Sequence, residues 1–162
     1  IKIKNIKINS KEYKETIFGE IQQEVNNKLI NKNFIKLVSE KKPSNKVIDD
    51  LIFSLKVVKH MKSNAIVLSK DNQTIGLGSG QTNRIDALKS AIKQMKKNSN
   101  SKNFVCASDG FFPFNDSISL LSRNNCSVIA QPSGSLNDKS SIRFAVKNKI
   151  SLYFTKFRLF KH

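Results

Sequence analysis

A glycine-rich stretch is the first candidate for chemistry, because its residue types suit the binding of an anion. Gly76, Gly78 and Gly80 stand at alternate positions, and the sequence QTNR at 81–84 follows before a helical pattern begins. Alternate glycines let the backbone approach a ligand or another backbone closely, and a helix start attracts negative charge. No Gly-Lys-Ser/Thr follows, and Gln81 occupies the third glycine position of a dinucleotide fingerprint. We therefore expect either a tight turn or an anion site, with the turn favoured.

A second candidate is the loop SDGFFPFND at 108–116, which carries Phe111, Phe112 and Phe114. Phenylalanines in a polar loop either fill the domain core or stack on a flat aromatic ligand. In the second case, the carboxylate of Asp116 would hydrogen-bond the edge of that ligand. The residues alone leave both alternatives open.

The C-terminal tail FRLFKH is a third candidate, since it places Arg158 and His162 among hydrophobic residues. One interpretation is a frayed terminus. The other is a tail that Phe157, Leu159 and Phe160 anchor against the domain. An anchored tail would hold the Arg158 guanidinium on a phosphate.

A metal site is not predicted. His60 lies in a helical pattern, and we expect it at the surface. The chain has no Cys-x-x-Cys and no His-x-Glu pattern, so we expect no zinc.

Strands that alternate with helices must position these loops. Apolar runs predict strands at 65–68, 74–77, 104–107, 127–131 and 151–154, and a short strand at 34–38. Helical spacing predicts helices from Ser44 or Asn45 to about Val58, from 85 to about 97, through Leu120 and Leu121, and over 138–147. Residues 1–10 suit an edge strand, and 15–25 suit a strand or an exposed helix. We expect an α/β layered fold whose ligands bind at loops after strand ends.

The formal net charge of +17 points to nucleic acid or another polyanion. The lysines are scattered singly, however, and no aromatic platform interleaves with a basic stripe. A compositional bias toward Lys, Asn and Ile explains the charge better, so we expect no specific nucleic acid.

Composition also bears on compartment. No apolar run is long enough to cross a membrane, and the start of the chain does not resemble a signal peptide. We expect no membrane and a cytoplasmic protein. Cys106 and Cys126 stand in apolar surroundings, so we expect reduced core residues, with a disulfide as the alternative. The chain begins at Ile1, and we expect a piece of a longer protein.

Five motifs in order carry a family resemblance: KSNAIV, TIGLGSGQTNR, ASDGFFPF, QPSGS with Asp138, and FRLFKH. Together they resemble the C-terminal end of the bifunctional purine-biosynthesis family that joins AICAR formyltransferase to IMP cyclohydrolase. The resemblance runs from about Phe18 to His162. It implies a cytidine-deaminase-like layered fold, with a mixed sheet flanked by helices and without zinc. Residues 18–162 would be the second such subdomain of the formyltransferase, and 1–17 a lead-in segment or edge strand.

The resemblance also implies an activity. AICAR would attack the formyl carbon of 10-formyltetrahydrofolate, the co-substrate, in a cytosolic homodimer with shared active sites. The catalytic residue would be Asn64, whose amide N–H would stabilise the oxyanion. The AICAR-binding residues would be Arg84, Phe111, Arg158 (on the phosphate) and His162. The folate-binding residues would be Phe114 and Asp116. Some relatives bind potassium, which leaves an alkali cation near the site open.

Departures from the family limit these expectations. The family's Lys-His catalytic pair lies in the first formyltransferase copy, which this chain lacks together with the cyclohydrolase domain. Lys59 and His60 have the same letters in a different surrounding pattern, so we carry no catalytic role onto them. We expect the isolated fragment to be inactive. A degenerate or non-catalytic α/β binding module that keeps the fold is the alternative.

Overall fold

The protein consists of a small hairpin and a larger layered body. The computed structural model describes residues 11–27, 29–99 and 101–162. The strands are β1 (Lys11–Thr16), β2 (Gly19–Glu24), β3 (Ile35–Leu37), β4 (Ile66–Lys70), β5 (Gln73–Gly78), β6 (Phe104–Ser108), β7 (Cys126–Pro132) and β8 (Ser151–Thr155). The helices are α1 (Asn45–Val58), α2 (Arg84–Asn98), α3 (Asn115–Arg123) and α4 (Asp138–Lys147), and a 3-10 turn covers Lys32–Phe34. Strands β3 to β8 and the four α-helices lie where the apolar runs and helical spacing predict them.

Six of the strands form one mixed sheet in the order β3-β8-β7-β6-β4-β5. The three central strands β6, β7 and β8 are parallel, and β4 runs antiparallel to both β6 and β5. β3 closes the other edge antiparallel to β8. The prediction of a layered α/β fold with a mixed sheet flanked by helices is confirmed.

Both faces of the sheet are covered, which explains the continuous apolar runs of its strands. On β4, Ile66 and Leu68 belong to the core beneath α2, α3 and α4. Val67 points to the opposite core, beneath α1. All three side chains are fully buried. The period of two along a strand therefore distributes one apolar run between two separate cores.

The alternate glycines serve close backbone packing. A Cβ atom at Gly76 would overlap the carbonyl oxygen of Ala91, and one at Gly78 would overlap that of Ala87, so α2 lies directly against β5. Gly80 has a φ of 65°, a conformation that glycine adopts without strain. Of the alternatives left by the sequence, the structure shows the close approach of two backbones and a turn.

The segment 15–25, predicted as a strand or an exposed helix, belongs to the antiparallel hairpin of β1 and β2. Ile17 and Phe18 form its turn and are more than 90% exposed, at 92% and 93%. The edge strand expected over residues 1–10 lies outside the described residues. No helix within the described ranges has the length and apolar character needed to cross a membrane.

Both cysteines are free and buried, as predicted. Burial raises the pKa of the Cys106 thiol well above its usual value, and the nearby Cys126 adds to the effect. Burial likewise raises the pKa of Cys126, against the lowering effect of a hydrogen bond with the Val128 backbone. Both thiols are therefore protonated core side chains.

Candidate functional site

The strand register brings the candidate loops to one end of the sheet. Ile66, near the start of β4, pairs with Ser108 at the end of β6 and with Gly78 at the end of β5. β7 and β8 run parallel to β6, so the C-terminal tail also leaves the sheet at this end. Residues far apart in sequence therefore meet here.

Arg84 lies at the centre of this end and is only 9% exposed. Its Nη1 forms an ion pair with Oδ1 of the fully buried Asp109 and donates to Ser108 Oγ at 3.2 Å. Its Nη2 donates to Asn64 Oδ1 at 2.8 Å. Arg84 is the first residue of α2, whose start is fixed by Asn83, because the Asn83 side chain accepts the Asp86 N–H at 2.9 Å. The helix start thus delivers a guanidinium into a buried polar cluster.

Asn64, predicted to stabilise an oxyanion, uses its side-chain amide within the protein. Its Nδ2 donates to the carbonyl oxygens of Gln81 at 2.9 Å and Thr82 at 3.2 Å. Its Oδ1 accepts from Arg84. An amide nitrogen carries two hydrogens, so both donors are engaged in this conformation. A bound oxyanion would have to replace one of the two carbonyl oxygens.

Two arginines and two phenylalanines contact one another in alternation around the C-terminal tail, in the order Phe111, Arg158, Phe160 and Arg84. The guanidinium carbon of Arg158 lies 5.1 Å from the Phe111 ring centroid and 5.6 Å from that of Phe160. The guanidinium carbon of Arg84 lies 5.8 Å from the same Phe160 ring. These distances are typical of cation–π contacts. Phe160 therefore separates the two positive charges while contacting both.

The tail is anchored, which decides against the frayed terminus. Leu159 is 1% exposed, and its N–H donates to the carbonyl oxygen of Asp109 at 2.9 Å. Lys161 and Ser63 exchange two hydrogen bonds: Ser63 N–H donates to Lys161 O at 2.9 Å, and Lys161 N–H donates to Ser63 Oγ at 3.1 Å. Phe157 contributes less burial than predicted, since it is 44% exposed.

The aromatic loop divides between the two alternatives that its sequence left open. Phe112 is fully buried in the core, and its N–H donates to Gln131 Oε1 at 3.0 Å. Phe111 is half-buried beside Arg158, whereas Phe114 is 64% exposed just before α3. The exposed Asp116 accepts the Ser117 N–H at 2.6 Å in the first turn of that helix. One phenylalanine fills the core, and two are accessible.

The structure brings five of the seven predicted site residues into one connected cluster. Asn64 and Arg84 are hydrogen-bonded, and Arg84, Arg158 and His162 all contact Phe160. The His162 ring lies edge-on to Phe160, with centroids 5.9 Å apart, and Phe111 joins through Arg158. Phe114 and Asp116 lie farther along the same loop, at the start of α3.

Three contributors were missed as site residues by the sequence argument. Asp109 neutralises Arg84, Phe160 contacts both arginines, and Ser63 holds the tail. The available signal for Asp109 was a carboxylate directly after a buried strand in a chain with few acidic residues. Gly110 completes the cluster, because a Cβ there would overlap the Arg84 guanidinium and the Phe160 ring.

The cluster also bears on the cation question. No group of three or more His, Cys, Asp or Glu suited to a metal occurs within residues 11–27, 29–99 and 101–162. Asp109 Oδ2 is buried and has no hydrogen-bond partner there. Arg84 pairs with the other oxygen of this carboxylate.

The sequence of this chain is similar to those of known proteins. The sequence model of the AICARFT/IMPCHase bienzyme matches residues 1–94. The chain is 49% identical over 150 residues to the bifunctional purine biosynthesis protein PurH of Buchnera aphidicola, covering 91% of this chain and 28% of that protein. It is 44% identical over 162 residues to PurH of Fusobacterium nucleatum, covering 100% of this chain and 32% of that protein. The chain thus spans about three-tenths of the length of these relatives.

Solved structures show a more distant similarity. The RibD protein of Acinetobacter baumannii, in its form 1, superposes with a TM-score of 0.44 at 14% identity. The superposition covers 66% of this chain and 33% of that one.

Proposed function

Because this chain belongs to the AICARFT/IMPCHase bienzyme family, we propose that it forms part of an AICAR formyltransferase. In the proposed reaction the AICAR amine attacks the formyl carbon of 10-formyltetrahydrofolate, and the products are formyl-AICAR and tetrahydrofolate. The parent protein would also carry IMP cyclohydrolase, and the pathway would be de novo IMP synthesis. Within this chain, 18–162 would be the second deaminase-like subdomain.

The convergence of Asn64, Arg84, Phe111, Arg158 and His162 at one end of the sheet is the observation that carries the proposal. These residues come from four separate stretches of sequence, and core packing alone does not require polar groups of these types to meet. A site with guanidinium groups, aromatic faces and amides suits a flat heterocycle that carries a phosphate.

Arg158 is the group we propose for the AICAR phosphate. It is exposed and lies between Phe111 and Phe160, and no carboxylate in the described part of the chain pairs with it. A guanidinium can meet a phosphate with two parallel hydrogen bonds. Phe111, in contact with Arg158, would then lie beside the AICAR ring, and His162 would complete this side of the site.

Asn64 and Arg84 would have different roles in the proposed reaction. The amine must lose a proton as it attacks, and the developing oxyanion needs a fixed donor. We propose the Asn64 amide as that donor, with one N–H released from a loop carbonyl when substrate binds. Arg84 would hold the Asn64 oxygen and offer its remaining N–H groups to AICAR. Both substrates must also be held face to face.

The folate side would be formed by Phe114 and Asp116. Both are exposed at the start of α3, where an aromatic ring can stack on the pterin and a carboxylate can bind its polar edge. If the family's potassium is present, Asp109 would contribute to its site. An alkali cation there would satisfy the free Asp109 oxygen.

The parent protein would be a cytoplasmic homodimer. Exposed apolar residues on the hairpin support a covering partner, since Ile17, Phe18 and Tyr13 are 92%, 93% and 58% exposed. The two buried, protonated cysteines agree with a reducing compartment.

A chimera tests the proposal. This chain would replace the corresponding 32% of the Fusobacterium nucleatum relative, to which it aligns over its whole length. We expect the chimera to release tetrahydrofolate when AICAR and 10-formyltetrahydrofolate are supplied. If the relative is active and the folded chimera is not, the chain is a binding module and the proposal is wrong.

Arg158→Ala in the same chimera tests the placement of the phosphate. We expect AICAR binding to weaken by about 2–4 kcal/mol, the scale for removing one partner of a hydrogen-bonded charge pair. Folate affinity should stay the same, because its groups lie at the start of α3. Arg143→Ala is the matched control, since Arg143 is an exposed arginine on α4. Calorimetric titration with each substrate separately decides the matter. Unchanged AICAR affinity, or equal losses for both ligands, would show a structural arginine.

A further inference from the structure

Gln23 connects the hairpin to the C-terminal tail. Its Nε2 donates to the carbonyl oxygen of Phe160 at 2.8 Å, and its Oε1 accepts the N–H of His162 at 2.9 Å. Within β1 and β2, Gln23 is the one residue that is not exposed. A primary amide offers a donor and an acceptor side by side, as the backbone of a neighbouring strand does. The Gln23 side chain therefore makes the pair of backbone hydrogen bonds that a neighbouring strand would otherwise make with the tail.

The opposite edge of the tail is bound by a different element. Lys161, between the two residues that Gln23 holds, exchanges its backbone hydrogen bonds with Ser63. Two residues before Lys161, the Leu159 N–H donates to the carbonyl oxygen of Asp109. The tail thus alternates between two edges like a central strand, with Ser63 on one side and Gln23 on the other.

The two bonds to Gln23 fall on residues that carry site side chains. Phe160 contacts both Arg84 and Arg158, and His162 stands against the Phe160 ring. The Ser63 contacts fix the backbone of Lys161 but leave the carbonyl of Phe160 and the N–H of His162 to another partner. Without the Gln23 side chain, the Phe160 carbonyl and the His162 N–H would hydrogen-bond to water instead, and the Phe160 and His162 rings could adopt a wider range of positions.

We propose that Gln23 is a positioning residue of the site. It fixes Phe160 and His162 by hydrogen bonds to the carbonyl oxygen of Phe160 and the N–H of His162. The proposal rests on the proposed function only in assigning AICAR as the ligand of that site. Its consequence is that the hairpin, which lies outside the main sheet, sets the geometry of the tail.

Amide hydrogen exchange in this chain, followed by NMR, tests the clamp without reference to activity. In Gln23→Ala we expect the His162 amide to exchange roughly tenfold faster, the scale for losing one hydrogen bond that protects a locally opening segment. The Leu159 amide, bonded to Asp109, should exchange at its original rate and serves as the internal control. Gln22→Ala is the matched control, because Gln22 is the exposed neighbour on β2. Unchanged exchange at His162 in Gln23→Ala would overturn the clamp.

The chimera with the Fusobacterium nucleatum relative tests the positioning role. Gln23→Ala should raise KM for AICAR and weaken AICAR binding several-fold. Folate binding and the urea midpoint of unfolding should not change, which separates positioning from stability. If Arg158→Ala weakens AICAR binding and Gln23→Ala does not, the positioning role is wrong. If Arg158→Ala has no effect on AICAR binding, the proposed function has failed instead, and the exchange of His162 still decides whether the clamp exists.

Discussion

Removing the carboxylate of Asp109 should destabilise the folded chain more than almost any other single polar change. Asp109 is fully buried and pairs with Arg84, which is 9% exposed. In Asp109→Ala the guanidinium remains in the interior with no opposing charge. Breaking a buried pair in this way costs about 3–5 kcal/mol, because the desolvated charge is left uncompensated.

The structure places the expected value near the lower end of that range. Arg84 keeps its hydrogen bonds to Ser108 and Asn64, and its guanidinium still lies over Phe160. We therefore expect a loss of about 3 kcal/mol in the free energy of unfolding. A domain of this size has a total stability of about 5–15 kcal/mol, so the variant should still fold.

Urea unfolding of the chain, monitored by circular dichroism, measures the effect. The double variant Arg84→Met/Asp109→Leu should lose less stability than Asp109→Ala alone, because no buried charge remains. Lys46→Ala is the control for an ion pair at the surface, since the Lys46–Asp71 pair is 74% and 55% exposed. Its unfolding midpoint should not move measurably. If Asp109→Ala unfolds at the wild-type urea concentration, or if the double variant is the least stable, the pair does not contribute as argued.

Three further predictions concern other parts of the chain. Gly78→Ala should lower the free energy of unfolding by about 1–3 kcal/mol in urea, because the new methyl group would overlap the Ala87 carbonyl oxygen. Cys106 and Cys126 should resist a thiol reagent in the folded chain, and rapid labelling at pH 8 would contradict this. The free energy of unfolding should also fall as pH rises past the unfolded thiol pKa of 9.0, because burial raises the pKa of both thiols in the folded chain and only the unfolded thiols then ionise. If the proposed function is right, these 162 residues alone should release no tetrahydrofolate from AICAR and 10-formyltetrahydrofolate, because the family resemblance implies that the catalytic Lys-His pair belongs to the first formyltransferase copy. Turnover near that of a full-length relative would show otherwise.

The layered body was predictable because its strands are covered on both faces. Residues 65–68 and 104–107 are short continuous apolar runs bounded by polar, turn-forming residues, a pattern typical of strands that are buried on both faces. The hairpin gave no such signal. Its strand residues are exposed apart from Gln23, so no burial pattern could distinguish a strand from an exposed helix over 15–25.

Five of the seven residues named from the sequence lie together in the structure, but their contacts could not be predicted. Arg84 has the same sequence position whether it faces a substrate or a buried carboxylate, and its partner Asp109 is 25 residues away. Gln23 is separated from the tail by 137 and 139 residues, and nothing in its own surroundings marks it. Contacts between residues so far apart in sequence depend on how several helices and strands pack together. The spacing of residue types along the sequence does not show that packing.

The two arginines of the cluster differ in what they can offer an anion. Arg84 is buried and its charge is cancelled by Asp109, so the glycine turn and the start of α2 present hydrogen-bond donors without a net positive charge. Arg158 is exposed, and the aromatic rings on either side constrain the guanidinium without neutralising it. A phosphate gains most from the uncancelled charge, because a charge-assisted bond is roughly twice as strong as a neutral one. The phosphate of a ligand should therefore settle at the tail, and its heterocycle should extend toward Asn64 and Arg84. Under the proposed function, the polar groups near the start of β4 would then meet the amine of AICAR, and the elements that hold the tail would take part in substrate recognition.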